Sequence, residues 1–136
     1  MSTPHPILAL KEAIRTRLLA SAPVTGLIGQ GVHDAPPRGS EPPYLVLGDA
    51  LLRENGTSEA EAFIAEIDMV AITRERGTRA ALELAGLIEA ALLASPLPVN
   101  GHSVSVMFIR ETIARHDEAK SLSRVTLRLR AFLHPV

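Results

Sequence analysis

At 136 residues, with 46% hydrophobic and 21% charged side chains, the chain can bury its own core and is expected to form one domain over residues 1–136. Fourteen bases against fifteen acids leave a net charge of −1, without the basic surplus of a protein that grips a phosphate backbone. Aromatics are only 3% and cysteine is absent, which excludes thiolate chemistry and disulfides and points to an aliphatic core without stacking platforms for bases or sugars.

Pro6 to Ala20 is expected to be the first helix. Ile7, Leu10, Ile14 and Leu18 recur at helical spacing, while Lys11, Glu12, Arg15 and Arg17 take the wetter positions. Thr3-Pro4 or His5-Pro6 suits its start, because proline fits the first helical position, and Ser21-Ala22-Pro23 ends it. The first six residues lack the basic and long apolar regions of a signal peptide, and no apolar run approaches the ~20 residues of a membrane span, so a soluble chain is expected. Val24 to Ile28 reads as a short turn of helix closed by Gly29-Gln30-Gly31, and Val32-His33 as a brief strand. Pro36, Pro37, Gly39, Pro42 and Pro43 then make a stiff loop with few backbone donors. Tyr44 to Arg53 is a longer strand opening on the apolar run Tyr44-Leu45-Val46-Leu47, expected to be buried on both faces.

Asn55-Gly56 is the strongest hairpin signal, since both residues tolerate positive φ. Beyond it Glu61 to Thr73 resumes a period of two, with Phe63, Ala65, Ile67 and Met69 on one face and Ile64, Glu66, Asp68 and Val70 on the other. These two strands are expected to pair antiparallel. Gly77 to Ala94 is the second helix, with Thr78 as its cap and Ala81, Leu84, Ala85, Ile88, Ala91 and Leu92 as its buried stripe. His102 to Arg115 reads as a strand with Val104, Val106 and Phe108 on one side; Ile109 and Ile113 fall out of that register, which predicts a bulge or strong twist. In the last strand, Leu122 to Leu133, Val125, Leu127, Leu129 and Leu133 alternate with Thr126, Arg128, Arg130 and Phe132. The expected fold is α+β, a mostly antiparallel sheet of about four strands with two helices on one face, in the order α-β-β-α-β-β.

Motifs for chemistry are sparse. The five histidines (His5, His33, His102, His116, His134) show no metal-ligand spacing, and His33-Asp34 and His116-Asp117, being adjacent, point to opposite faces. Nucleophile-elbow, P-loop and dinucleotide fingerprints are absent, and Gly26, Gly29 and Gly31 lack the long helix that an anion-binding loop needs. Glu66 and Asp68 share a strand face at roughly 7 Å, a spacing fit for a cation or for acid–base work but more often found on a solvated face. No catalytic residue, metal or cofactor is therefore expected. The richer pattern is Arg124, Arg128 and Arg130 beside Thr126 and Phe132, with Arg110, Glu66 and Asp68 nearby if their strands adjoin: either cross-strand ion pairs or a subunit interface.

Three segments in order carry a resemblance: Pro23-Val24-Thr25-Gly26-Leu27-Ile28-Gly29 after the first helix, Val32-His33-Asp34-Ala35-Pro36-Pro37, and Pro43-Tyr44-Leu45-Val46-Leu47-Gly48. With the hairpin, alanine-rich helix and two closing strands that follow, the chain resembles the tail-completion (tail terminator) family of tailed phages and gene transfer agents along nearly its whole length. The resemblance implies a ring, expected as a hexamer, that caps the head-proximal end of a tail tube, stops its polymerisation and offers a surface to head-completion or connector proteins. It implies no active site, no membrane, no direct nucleic-acid readout, and a passage from the bacterial cytoplasm into the finished particle. Expected partner-binding positions are Asp34, Pro36, Pro37 and Arg38 in the proline loop, Asn55 and Gly56 at the hairpin tip, and Arg128 and Arg130 on the sheet. The alternatives left open are a small-molecule-binding or adaptor domain, and a small enzyme using His33, Asp34, Glu66 or Asp68.

Overall fold

The computed structural model describes residues 4–136. It contains three helices, α1 (Pro6–Leu19), α2 (Ala22–Ile28) and α3 (Arg79–Leu93). Between and after them run five strands, β1 (Val32–His33), β2 (Tyr44–Glu54), β3 (Phe63–Thr73), β4 (His102–Asp117) and β5 (Leu122–Pro135). They form one mixed sheet in the order β1-β2-β3-β5-β4, with β1 parallel to β2 and every other pair antiparallel. The expected α+β class, the β2–β3 pairing, the short helical turn over 24–28 and the brief strand Val32–His33 stand; the count of four strands and two helices and the order α-β-β-α-β-β do not. Pro23 in the first turn of α2 explains the extra helix, because a residue that stops one helix is also preorganised to start the next. β1 is only two residues long and takes its place by laying Val32 beside Leu45.

All three helices cover one face of the sheet. Leu10, Ile14 and Leu18 of α1, Val24 of α2, and Leu84, Ile88 and Leu92 of α3 are buried against Leu45, Ile67, Met69, Leu127, Leu129 and Leu133 of the strands. The core is aliphatic, as the composition requires. His5 caps α1, its Nδ1 accepting from the Ile7 N–H at 3.1 Å, with Pro6 at the first position; Thr3, the other start considered, lies outside the described residues. Thr78 precedes α3 but makes no side-chain capping bond, contrary to expectation. Arg17 ties α1 to the far end of α3, donating to the carbonyls of Leu92 at 3.3 Å, Ser95 at 3.1 Å and Pro96 at 3.0 Å.

Two local expectations change. Asn55-Gly56 is not a two-residue turn: β2 ends at Glu54, β3 begins at Phe63, and an arm of loop separates them. The Asn55 N–H bonds the Ala62 carbonyl at 2.8 Å and the Thr57 N–H the Ala60 carbonyl at 2.9 Å, while the Thr57 hydroxyl accepts from the amides of Glu59 and Ala60. The turn is thus made by Thr57, and Gly56 serves close approach, since a Cβ there would lie 2.5 Å from the Ala60 carbonyl oxygen. In β4, Val104 does not share a face with Val106 and Phe108. Register shifts between Val104 and Val106 and between Ile109 and Glu111 insert Ser105 and Arg110 as bulges, so Val104 stands opposite inward Leu133 while Val106 and Phe108 stand opposite outward Phe132 and Arg130. Tyr44 and Val46 are half-buried, not fully buried, because no helix covers their side of the sheet.

Candidate functional site

Period-two alternation gives the sheet a second face, opposite the helices, and the register orders it in rows. Ile64, Phe132 and Val106 form an apolar row; Glu66, Arg130 and Phe108, then Asp68, Arg128 and Glu111, form two charged rows; Val70, Thr126 and Ile113 form another apolar one. Leu51 of β2 flanks Glu66. Leu51 is 50% exposed, Val106 48% and Phe108 37%, so large apolar groups stand in solvent around the charged centre. Mixed apolar and arginine surface of this kind marks contact faces more than solvated ones.

The charged rows form one network. Arg130 donates through Nε at 2.8 Å, and also through Nη2, to Oε1 of Glu66. Arg110, turned outward by its bulge, brings Nε to 3.4 Å from the same oxygen and Nη2 to 3.8 Å from Glu111. Arg128 bridges Asp68 and Glu111, at 3.5 Å to each. The Arg130 hydrogen bond holds the Glu66 carboxyl below its ordinary range, more than partial burial raises it, with further help from the charges of Arg130, Arg110 and Arg53. Three carboxylates and three guanidiniums neutralise one another, so covering this centre with a protein surface costs less than burying a loose charge.

The expected partner-binding residues fall in three separate places. Arg128 and Arg130 lie in this network. Asn55 and Gly56 lie on the arm at the Phe63 end of β3. Asp34, Pro36, Pro37 and Arg38 lie in the exposed loop that enters β2 at the opposite end, where Asp34 binds Lys11 of α1 at 2.7 Å. The Pro42–Pro43 bond of this loop is cis, and Glu41 pairs with Arg74 at 3.3 Å. His33 sits edge-on to Tyr44, with ring centroids 5.9 Å apart, while neighbouring Asp34 turns to the helix side. The four residues considered for an enzyme therefore do not converge: Glu66 and Asp68 are each engaged by arginine, and Asp34 by lysine. Glu111 and Arg115 were missed, because only the register across two bulges places them on this face.

On the helix side, an apolar groove of about 630 Å³ opens between α1 and the second half of β2, lined by Leu8, Leu47, Ala50 and Leu52 with Lys11 and Arg15 at its rim. Among the described residues, no three His, Asp or Glu side chains gather as metal ligands, and no helix is long and apolar enough to cross a membrane.

Comparison with known proteins gives the fold and the family of the chain. A chain in a solved structure of the virion of a native gene transfer agent particle superposes with a TM-score of 0.87 at 23% identity, covering 97% of this chain and 99% of that one, which shows a shared fold. No curated protein matches the sequence. The family model described as "Tail completion protein gp17" matches residues 12–134, from the second turn of α1 to the end of β5, and the chain belongs to that family.

Proposed function

We propose that the chain, acting as a single tail-terminator-like domain over residues 1–136, is a structural tail protein that assembles into a ring, a hexamer, on the head-proximal end of a phage or gene-transfer-agent tail tube. The ring ends tube polymerisation and presents a surface to head-completion or connector proteins. The protein is made in the cytoplasm of the producing bacterium and is then built into the particle. The observation that carries this reading is the sheet face free of helices, with Leu51, Val106 and Phe108 exposed around a self-neutralised charge network, in a chain of the tail-completion family. The role calls for complementary surfaces and no reaction.

A closed ring needs two different patches per subunit that meet head to tail. The outer sheet face with Arg128 and Arg130 is one contact region, the stiff loop with Asp34, Pro36, Pro37 and Arg38 a second, and the arm with Asn55 and Gly56 a third. A loop already held by four prolines loses little freedom on docking. The test is light scattering of the protein alone and with tail-tube protein. Wild type is expected to form rings with the tube protein, and Phe108→Asp, which places a charge in an exposed apolar site, is expected to prevent them while leaving the thermal midpoint unchanged. Persistent monomer for wild type in the presence of tube protein would remove the reading. The groove beside α1 supports a second reading, an adaptor domain that holds a small apolar ligand; a thermal shift with a ligand library that Leu8→Glu abolishes would favour it.

A further inference from the structure

Arg115 of β4 and Arg124 of β5 are directly paired across strands on the outer face, one row beyond Ile113 and Thr126. Both are exposed, and among the described residues neither is in an ion pair. Side chains so placed have Cβ atoms roughly 5 Å apart, and like charges there repel. Of the other arginines of this face, Arg110, Arg128 and Arg130 are each held by Glu66, Asp68 or Glu111, and Arg53, opposite Ile64 at the other end of the sheet, stands by itself with its charge acting on Glu66. Two unmatched guanidiniums side by side form a fork suited to carboxylates, which arginine grips through paired N–H donors.

The nearest carboxylate on this face, Asp117 one row beyond, accepts from the Lys120 N–H at 3.2 Å and is in no ion pair with either arginine; the exposed acids of the β2–β3 arm lie on the same chain but out of reach. Glu54 at the end of β2 and Glu59 and Glu61 on the β2–β3 arm are exposed, and among the described residues none is in an ion pair. The arm leaves β3 at Phe63, whereas Arg124 is registered with Ile72 near its other end. Nine residue steps along β3 separate these points by about 30 Å. A contact between arm and arginines is therefore between copies, and because the two patches lie at opposite ends of the sheet it can repeat head to tail around a ring. The arm is also preformed: the Thr57 hydroxyl pins the turn that presents Glu59, so little order is lost on docking.

We propose that the occupant of the Arg115–Arg124 pair is a second copy of this chain, whose β2–β3 arm places Glu59 and Glu61 on the two guanidiniums. This contact rests on the ring reading and names the residues that join one subunit to the next. It makes ring assembly fall as salt rises, because the groups are solvent-exposed.

A charge swap tests it, with ring yield read by light scattering and electron microscopy in the presence of tail-tube protein. Arg115→Glu with Arg124→Glu, and separately Glu59→Lys with Glu61→Lys, are expected to drop ring yield to about a tenth or less of wild type. All four changes in one chain are expected to restore it, which a merely structural role would not produce; thermal unfolding of each variant confirms that it folds. Rings that tolerate either reversal, a four-fold variant that folds but does not recover, or rings that persist while only tube binding is lost would each overturn the contact and leave the ring reading standing. Wild-type protein that forms no ring would overturn both.

Discussion

Glu66 is the residue whose surroundings are most sharply defined, with Arg130 hydrogen-bonded to its carboxylate and Arg110 close by. Its folded pKa lies below the ordinary 4.5, so the charged form is favoured by folding. The stabilisation is present at neutral pH, above the unfolded value, and is lost as pH falls through the folded one. Glu66→Gln is expected to lower stability by about 1 kcal/mol at pH 7, and the gap to wild type should close on acidification; urea titrations at several pH values check this. A gap that stays constant to low pH would contradict the assignment. Gly56 is the other sharply constrained position, since an added Cβ would also meet the Ala62 nitrogen at 2.9 Å. Gly56→Ala should cost about 1 kcal/mol and loosen the arm, seen as faster amide exchange at Asn55 and Thr57. Unaltered exchange there would show that the arm relaxes freely.

At the scale of elements, the helical layer is locked where α1 meets the end of α3. The Ala91 and Leu92 carbonyls belong to the last turn of α3, lack intrahelical partners, and are met by the Arg17 guanidinium at 3.5 and 3.3 Å. Arg17→Met keeps most of the stem packing but removes four donations, and should destabilise by about 1–2 kcal/mol in urea unfolding, with the loss concentrated in exchange of the α3 C-terminal amides. Helices α1 and α3 and strands β3 and β5 were legible in the sequence because their periods are unbroken and one face is buried. What escaped was whatever depends on partners. β1 was legible as the brief strand Val32–His33 but its parallel pairing with β2 was not, and the place of β5 between β3 and β4 follows from the crossover, not from any local pattern. The extra residues Ser105 and Arg110 make β4 read wrongly by alternation, although the misfit of Ile109 and Ile113 did signal a bulge. The same shifts hid the candidate site's full membership: Arg128, Arg130, Glu66 and Asp68 could be placed on one face from period two alone, whereas Glu111 and Arg115 needed the bulged register.

For the whole molecule, the division is between a sheet face that the helices cover to close the core and a sheet face that no helix covers, which the proposed function assigns to contacts with other subunits. Most of that face is either apolar or already charge-neutral, and Arg115 and Arg124 are its one pair of adjacent arginines without a carboxylate partner among the described residues. Two-faced design of this kind suits a subunit that is stable alone and gains further contacts on assembly. The most direct test of the tail-capping account is tube growth itself. Tail-tube protein should be polymerised with and without this protein, and lengths and ends measured by electron microscopy. The account predicts that elongation stops in proportion to added protein, with a ring on one end of each arrested tube. Tubes that grow to the same lengths with bare ends at saturating protein would contradict it.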